Sequence, residues 1–551
     1  MNLFQKTYIS LLYLLVSLTT FAQDTLKKED INIASKLADL NFSQPEVDMM
    51  YSDVKDNLKE YEKMHKLQLD NSIPMSLWQT PLLPGMKLPI NQKNINWNIP
   101  QNVQLPKNKN ELAFYSIPQL ASLLRSKKIS AVELTKFFIE RLRKYGDSLQ
   151  CTISITEELA MKKATVADAE MKAGKFRSIL HGIPYGLKDL FAVKGTRTTW
   201  GAAPYKNQTI DADAFVYTQL QNAGAVLIAK FTLGALAMGD YWYGGRTKNP
   251  WNLRSGSSGS SAGSTAATVA GLVPFAIGTE TYGSIISPSN ACGATGLRPT
   301  FGTVSRSGAM ALSWSLDKVG PICRSAEDAA AVFSIIHGTD GKDGSAVNAA
   351  FNYTGKAYFK KLKIAYVKNY FDRLDSNANE PKVLNVYRKL GATLIPIEIV
   401  DSVLYPFDMI GMVIGAEAAA AFDELTRLNL DDQLTRQTRN DWPNYFRGAR
   451  LIPAVEYVNT NRHRYKLMQE MAKITSPYDA IITPTFGGSQ LPVTNLTGHP
   501  ALCMPTGFNK NGLPTSITII GNLYDEATIL AVAKAYQQAT DFNKEHPPLF
   551  R

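Results

Sequence analysis

Histidine and cysteine are scarce in this chain, at six and four among 551 residues. Cys151, Cys292, Cys323 and Cys503 lie far apart and follow neither a paired nor a metal-type spacing, which argues against a disulfide framework or a metal cluster. Cys292 and Cys503 sit in small or apolar stretches (SNACGATG and PALCMPTG), so buried free thiols are the expectation. Charged residues are also few, 19% against about 25% in ordinary globular domains. With 45% hydrophobic residues the chain is no disordered polymer and has material for a large core. Long hydrophobic runs are missing too: no segment approaches the roughly 20 apolar residues of a membrane-spanning helix. The net charge is 59 − 48 = +11. No stripe or motif concentrates it, so it reads as surface charge, with no nucleic-acid partner expected.

At the start, Lys6 is the only charged side chain before Asp24, and Tyr8–Leu18 is a largely apolar run of eleven residues. Thr20 and Ala22 place small side chains at −3 and −1 of a cut before Gln23. This is the order of a secretory signal peptide. The sequence therefore predicts an exported chain (periplasmic or extracellular), cleaved near Ala22, of 551 − 22 = 529 residues.

A capping box between Ser43 and Glu46, with Phe42 and Val47 as a hydrophobic staple, opens a helix carried on by Met50, Val54, Leu58, Tyr61 and Met64. Residues 70–110 are proline-rich and aperiodic, as in an extended connector. Capping boxes Ser116/Gln119 and Ser130/Glu133 predict two amphipathic helices ending near Gly146. The expected organisation is a leader (1–22), a helical extension with its connector (23–111), and one catalytic domain (112–551). In the last, apolar runs such as AVLIAKF (225–231), LKIAYVK (362–368), ATLIPIEIV (392–400) and DAIITPT (479–485) alternate with Ala-rich helical stretches. That pattern predicts a large α/β domain on a central sheet. The stretch 401–470, helical and charged, is expected to form a cap.

Residues 255–265 read SGSSGSSAGST. A flexible linker has that composition, but this one runs straight into TAATVAGLVPFAIG, a core element. A glycine-rich loop packed on a core brings backbone N–H groups or hydroxyls close to something. Two motif matches here are misleading. Gly259–Gly263 fits G-x-S-x-G, but the elbow needs a preceding strand, and NPWNLRSGS does not read as one. Ser315–Lys318 fits S-x-x-K without the K-T-G or S-D-N that should accompany it. A second turn, GTETYGSI (278–285), offers Ser284 as a nucleophile among N–H groups suited to an oxyanion. Its hydroxyl needs a base, and histidine is rare. Lys188, in HGIPYGLKDLF with apolar neighbours on both sides, becomes a candidate, because burial lowers an ammonium pKa.

In this order the segments resemble the amidase signature family closely: GIPYGLKDLFAVKGTRTTWGA (182–202), NPWNLRSGSSGSSAGSTAA (249–267), GTETYGSIISPSNACGATGLRPTFGTVSRSG (278–308), SLDKVGPICRS (315–325) and GHPALCMPTGF (498–508). The resemblance spans about 112–540 and places Asp317 in the family's S-x-D-x-x-G-P segment. It implies an α/β/α layered fold with a twisted mixed sheet and a Ser–Ser–Lys triad. In that triad Lys188 is the base, Ser260 the middle serine on a cis peptide bond, and Ser284 the nucleophile. It further implies an oxyanion hole from the N–H groups of Thr281, Tyr282, Gly283 and Ser284, with Asp189, Gly259 and Ser261 in support and no metal or cofactor. Tyr282, Ala262, Ile286 and the Gly234-Ala235 pair depart from the family pattern, and they are expected on the substrate side.

The leading expectation is an exported amidase that hydrolyses a small-molecule or peptide carboxamide through an acyl-enzyme. A second is the A subunit of a glutamine-dependent tRNA amidotransferase; the leader, and Ile286 where such members often carry Arg, count against it. From another class, an α/β-hydrolase-type serine esterase would use Ser261 with His337, His463 or His499.

Overall fold

The computed structural model describes residues 26–37, 40–65, 71, 79–375 and 377–551. The expected leader, residues 1–22, lies outside them. Two compact units are distinguished, Met1–Leu69 and Asp70–Arg551.

In the first unit, helices Lys28–Leu37 and Gln44–His65 pair. The Tyr51 hydroxyl donates to the Leu26 carbonyl at 2.7 Å, and Lys28 pairs with Asp48 at 2.8 Å. The longer helix starts where the capping box is read. The Ser43 N–H donates to the Glu46 carboxylate at 2.6 Å, and Val47 is fully buried.

The proline-rich connector is built into the second unit, although in sequence it goes with the extension. Extended chain leaves its backbone groups unpaired, and here the body satisfies them. The Lys93 N–H donates to Asn352 Oδ1 at 2.7 Å, Asn352 Nδ2 donates to the Asn91 carbonyl at 3.0 Å, and Lys128 Nζ donates to the Val103 carbonyl at 2.7 Å. Helices Ile117–Arg125 and Ala131–Leu149 follow, each opened by its reciprocal capping box.

Eleven strands form one mixed sheet. Its order is Thr152–Ile155, Val226–Phe231, Pro184–Lys188, Ala276–Glu280, Lys318–Cys323, Thr295–Arg298, Ala501–Phe508, Pro514–Gly521, Ala480–Pro484, Ile364–Val367 and Leu394–Ile397. Every position of Val226–Phe231, Ala276–Glu280, Lys318–Cys323 and Ala480–Pro484 is buried. Strands apolar on both faces need cover on both. Among the helices packed on the sheet are Ala131–Leu149, Ala262–Val269, Ala326–Ile336 and Glu526–Thr540. The stretch 401–470 is helical as expected, its longest helices being Met409–Ala421 and Ala454–Thr475. All four cysteines are free and buried. No helix among the described residues is long and apolar enough to cross a membrane.

One segment differs from its sequence reading. Asn252–Gly256, in the stretch that did not read as a strand, is one. It pairs only with Lys248–Asn249 in a two-stranded ribbon outside the main sheet. Its polar residues carry no alternation, because neither face is buried in the core.

Candidate active site

Pro184–Lys188 runs parallel to Ala276–Glu280, with Gly186 opposite Ala276 and Leu187 opposite Ile277. Lys188 therefore ends its strand beside Thr279, at the carboxyl edge where α/β sheets place their sites. The strand is buried at every position, and Lys188 is itself fully buried. Its Nζ donates to Ser260 Oγ at 2.8 Å, Thr279 Oγ1 at 2.8 Å and Ser261 Oγ at 3.2 Å. Burial pushes its ammonium pKa down to about 7, against a smaller upward pull from the carboxylates of Asp317 and Glu280.

Ser260 and Ser261 lead into helix Ala262–Val269, and the Gly259–Ser260 peptide bond is cis. A Cβ on Gly259 would lie 1.9 Å from the Gly239 carbonyl oxygen, so only glycine fits there. Ser261 Oγ donates to the Thr279 carbonyl at 3.1 Å, and the Ser261 N–H donates to the Ser284 carbonyl at 3.1 Å. Through these bonds the two Gly/Ser segments are stitched together.

Ser284 is 7% exposed and follows Gly283, whose φ of +87° suits glycine. No backbone carbonyl among the described residues accepts from the N–H of Thr281, Tyr282, Gly283 or Ser284. The turn is clamped at both sides. Thr281 Oγ1 donates to Asp317 at 2.5 Å. The buried Glu280 carboxylate accepts from the N–H groups of Ile285 (2.8 Å) and Ile286 (2.9 Å), Arg298 Nη1 (2.8 Å) and Asn495 Nδ2 (2.9 Å). Burial alone would raise the Glu280 pKa; Arg298 and the other donors outweigh it and hold it below the ordinary value.

Lys188, Ser260, Ser261, Gly259 and the 281–284 turn thus converge. Among the described residues no hydrogen bond joins Ser260 Oγ to Ser284 Oγ. Asp189 is fully buried, not a solvated loop carboxylate: it pairs with Lys230 at 2.9 Å and accepts from Thr199 N–H at 2.8 Å. Of the positions expected on the substrate side, Tyr282 is open at 45% exposure. Ala262 and Ile286 are fully buried instead, the latter packed with Leu491, Ala501 and Cys503. The histidines are engaged elsewhere. His337 lies against Phe333 and Phe351, and His463 against Phe407. His499 contacts Thr475 and Thr497, its pKa pushed down by burial to about 3.

A model of the family described as Amidase matches residues 133–494. This chain belongs to the amidase signature family. It is accordingly an enzyme of amide C–N chemistry. The A subunit of the glutamyl-tRNA(Gln) amidotransferase of Coxiella burnetii is 34% identical over 480 residues, covering 79% of this chain and 99% of that protein. Its counterpart from an Acinetobacter baumannii strain is 33% identical over 476 residues, covering 78% and 96%. Among solved structures, the peptide amidase of Stenotrophomonas maltophilia is similar at a TM-score of 0.72 and 26% identity, covering 80% of this chain and 99% of that one. The amidotransferase A subunit from Thermotoga maritima gives 0.66 and 25%, covering 79% and 97%.

Thr279, Glu280, Arg298 and Lys230 escaped the sequence reading as residues of this site. Thr279 and Glu280 stand within the quoted GTETYGS, where a charged residue in an otherwise small, polar turn was the available signal. Lys230, in the apolar run AVLIAKF, carried a similar one.

Proposed function

We propose that this chain hydrolyses a carboxamide through a Ser284 acyl-enzyme, with Lys188 and Ser260 as the proton relay. The carrying observation is the 2.8 Å contact from the fully buried Lys188 Nζ to Ser260 Oγ. A lysine with a pKa near 7 is substantially neutral at physiological pH and serves as a base. In this reading Lys188 takes a proton from Ser260, which takes one from Ser284 as its oxygen attacks the carbonyl carbon. The free N–H groups of the 281–284 turn stabilise the tetrahedral oxyanion. Ser260 then protonates the departing nitrogen, the C–N bond breaks, and water hydrolyses the Ser284 ester to the acid. An esterase based on Ser261 finds no support, since its Oγ is held by Thr279 and Lys188 and no histidine hydrogen-bonds it among the described residues.

For the biological setting, the relatives favour the alternative of an amidotransferase A-subunit-like chain over a freestanding exported amidase. They match at 33–34% over nearly their whole length, above the 26% of the peptide amidase. Glutamine is then the amide donor and other chains receive the ammonia. The fully buried Ile286 in place of Arg, and the leader-like start, are the features that pull towards the freestanding setting.

The chemistry is tested by labelling with a serine-reactive phosphonate and locating the adduct by mass spectrometry. Modification is expected at Ser284 and lost in Ser284→Ala. An adduct on Ser261, or full turnover by Ser284→Ala or Lys188→Ala, overturns the assignment. Ammonia release from glutamine, compared with that from peptide amides, separates the two settings.

A further inference from the structure

A cavity of about 650 Å³ reaches the site from the Thr281 side. Both Thr279, which holds Lys188, and Thr281, at the start of the N–H turn, line it, whereas Ser260 and Ser284 do not. Its apolar wall is made by Leu190, Trp200, Ile210, Met310, Leu312 and Trp314, beside polar and charged lining residues.

Apart from Lys342, which is exposed and whose ammonium has no partner among the described residues, the charged groups in those walls are already satisfied. Arg306 forms a two-pronged pair with Asp343, at 2.8 and 3.0 Å. Asp317 accepts from Thr281 Oγ1 and from the N–H groups of Leu312 (2.8 Å) and Ser313 (3.0 Å). The Lys318 ammonium, 2% exposed, donates to the Leu316 carbonyl. At the exposed rim, Asp211 is paired with Lys194 at 2.7 Å. Away from exposed Lys342, a charged ligand would have to displace one of these bonds. A neutral apolar group displaces none and removes wall surface from water, at about 25 cal/mol per Å². The volume lies within the 300–1,000 Å³ usual for small-ligand sites.

We propose that this cavity takes a neutral aromatic or branched apolar substituent of the amide substrate and so sets a preference for bulky apolar amides over short aliphatic ones. The inference rests on the amide-hydrolase reading above and goes with its freestanding setting, not with glutamine as the amide. The substituent belongs either to the acyl group or to the nitrogen, and the two are told apart with phenylacetamide and N-benzylacetamide.

Ala309, on the cavity lining and only partly exposed, offers a way to fill it. The measurement is kcat/KM of the full chain for acetamide, phenylacetamide and N-benzylacetamide, in wild type, Ala309→Leu and Ala309→Trp. Expected is a wild-type preference of at least tenfold for one aryl amide over acetamide, falling at least tenfold in Ala309→Trp and partway in Ala309→Leu. Equal wild-type rates for all three amides, or a preference untouched by filling, overturn the proposal while leaving amide hydrolysis intact. A second readout does not need turnover: calorimetric binding of the two aryl amides to Ser284→Ala, with and without Ala309→Trp. Binding lost on filling supports the cavity even if the chemistry is reassigned. Absence of binding by either amide overturns it.

Discussion

Lys188 Nζ and Ser260 Oγ meet at 2.8 Å at a fully buried strand end. Neither group suits base chemistry in water, where the amine is charged and the hydroxyl inert. Burial removes the solvent that stabilises the ammonium, so an ordinary lysine becomes one whose pKa is about 7.

That relationship predicts the acid limb of the pH–rate profile. The neutral amine is the active form, so kcat/KM falls as pH drops through about 7, tending to tenfold per unit below it. His499 and His546, both pushed down by burial to about 3, are well separated from it. Initial rates from pH 5 to 9 on a primary amide check this; a flat profile down to pH 5 removes Lys188 from the role.

Stability should carry the same signature. The Lys188 pKa is lowered on folding, from 10.5 to about 7, so between these values the unfolded chain binds more protons than the folded one. Wild-type stability therefore gains from this group as pH rises through that window and loses the gain as pH falls to 7. In Lys188→Met the contribution is absent. The wild-type-minus-variant difference in urea unfolding free energy should rise between pH 7 and 10.5, by up to about 1.4 kcal/mol per pH unit. A difference independent of pH contradicts the depressed pKa.

How much of this was legible in the sequence depends on distance along the chain. Lys188, Ser260 and Ser284 stand in contiguous segments whose composition is odd for a linker or a core, and the caps at Ser116 and Ser130 are local pairs three residues long. Lys188, Ser284 and the caps were readable as candidates, whereas Ser260 as the middle serine came only from the family resemblance. The pairs Glu280–Arg298 and Asp189–Lys230 were not, because each joins residues on or just past different strands that only the sheet brings together. Strand order is hidden for the same reason: Val226–Phe231 inserts between Thr152–Ile155 and Pro184–Lys188. Ribbon strand Asn252–Gly256 was missed because a strand with no buried face leaves no period-two pattern.

The leader reading makes its own forecast. If Tyr8–Leu18 directs export and Ala22 precedes the cut, the chain expressed in a host with a secretion pathway should leave the cytoplasm and begin at Gln23. N-terminal sequencing and fractionation read this directly. An intact Met1 in the cytoplasmic fraction would remove export and leave Ile286 as the one feature set against the amidotransferase-like setting.

Glu280 gives the sharpest test of how the N–H turn is held. Its carboxylate receives four donors within 2.9 Å, two from the backbone just after Ser284 and one from the fully buried Arg298. Glu280→Gln keeps the shape but supplies one acceptor oxygen and turns an NH₂ towards those donors, leaving the Arg298 charge uncompensated. Breaking one side of a buried ion pair costs about 3–5 kcal/mol, so urea unfolding at pH 7 should show a loss of that order. The Glu280 pKa is held below its ordinary value. Its contribution is therefore present above the unfolded pKa and lost as pH falls through the folded one, so the gap between wild type and variant should shrink in acid. Because the same carboxylate fixes the residues that bound the turn, kcat should fall more than KM rises. Glu280→Asp, which keeps the charge on a shorter arm, should restore part of both. A Glu280→Gln protein with wild-type kcat and a stability loss under about 1 kcal/mol would mean that the turn is held by Thr281 and Asp317 alone.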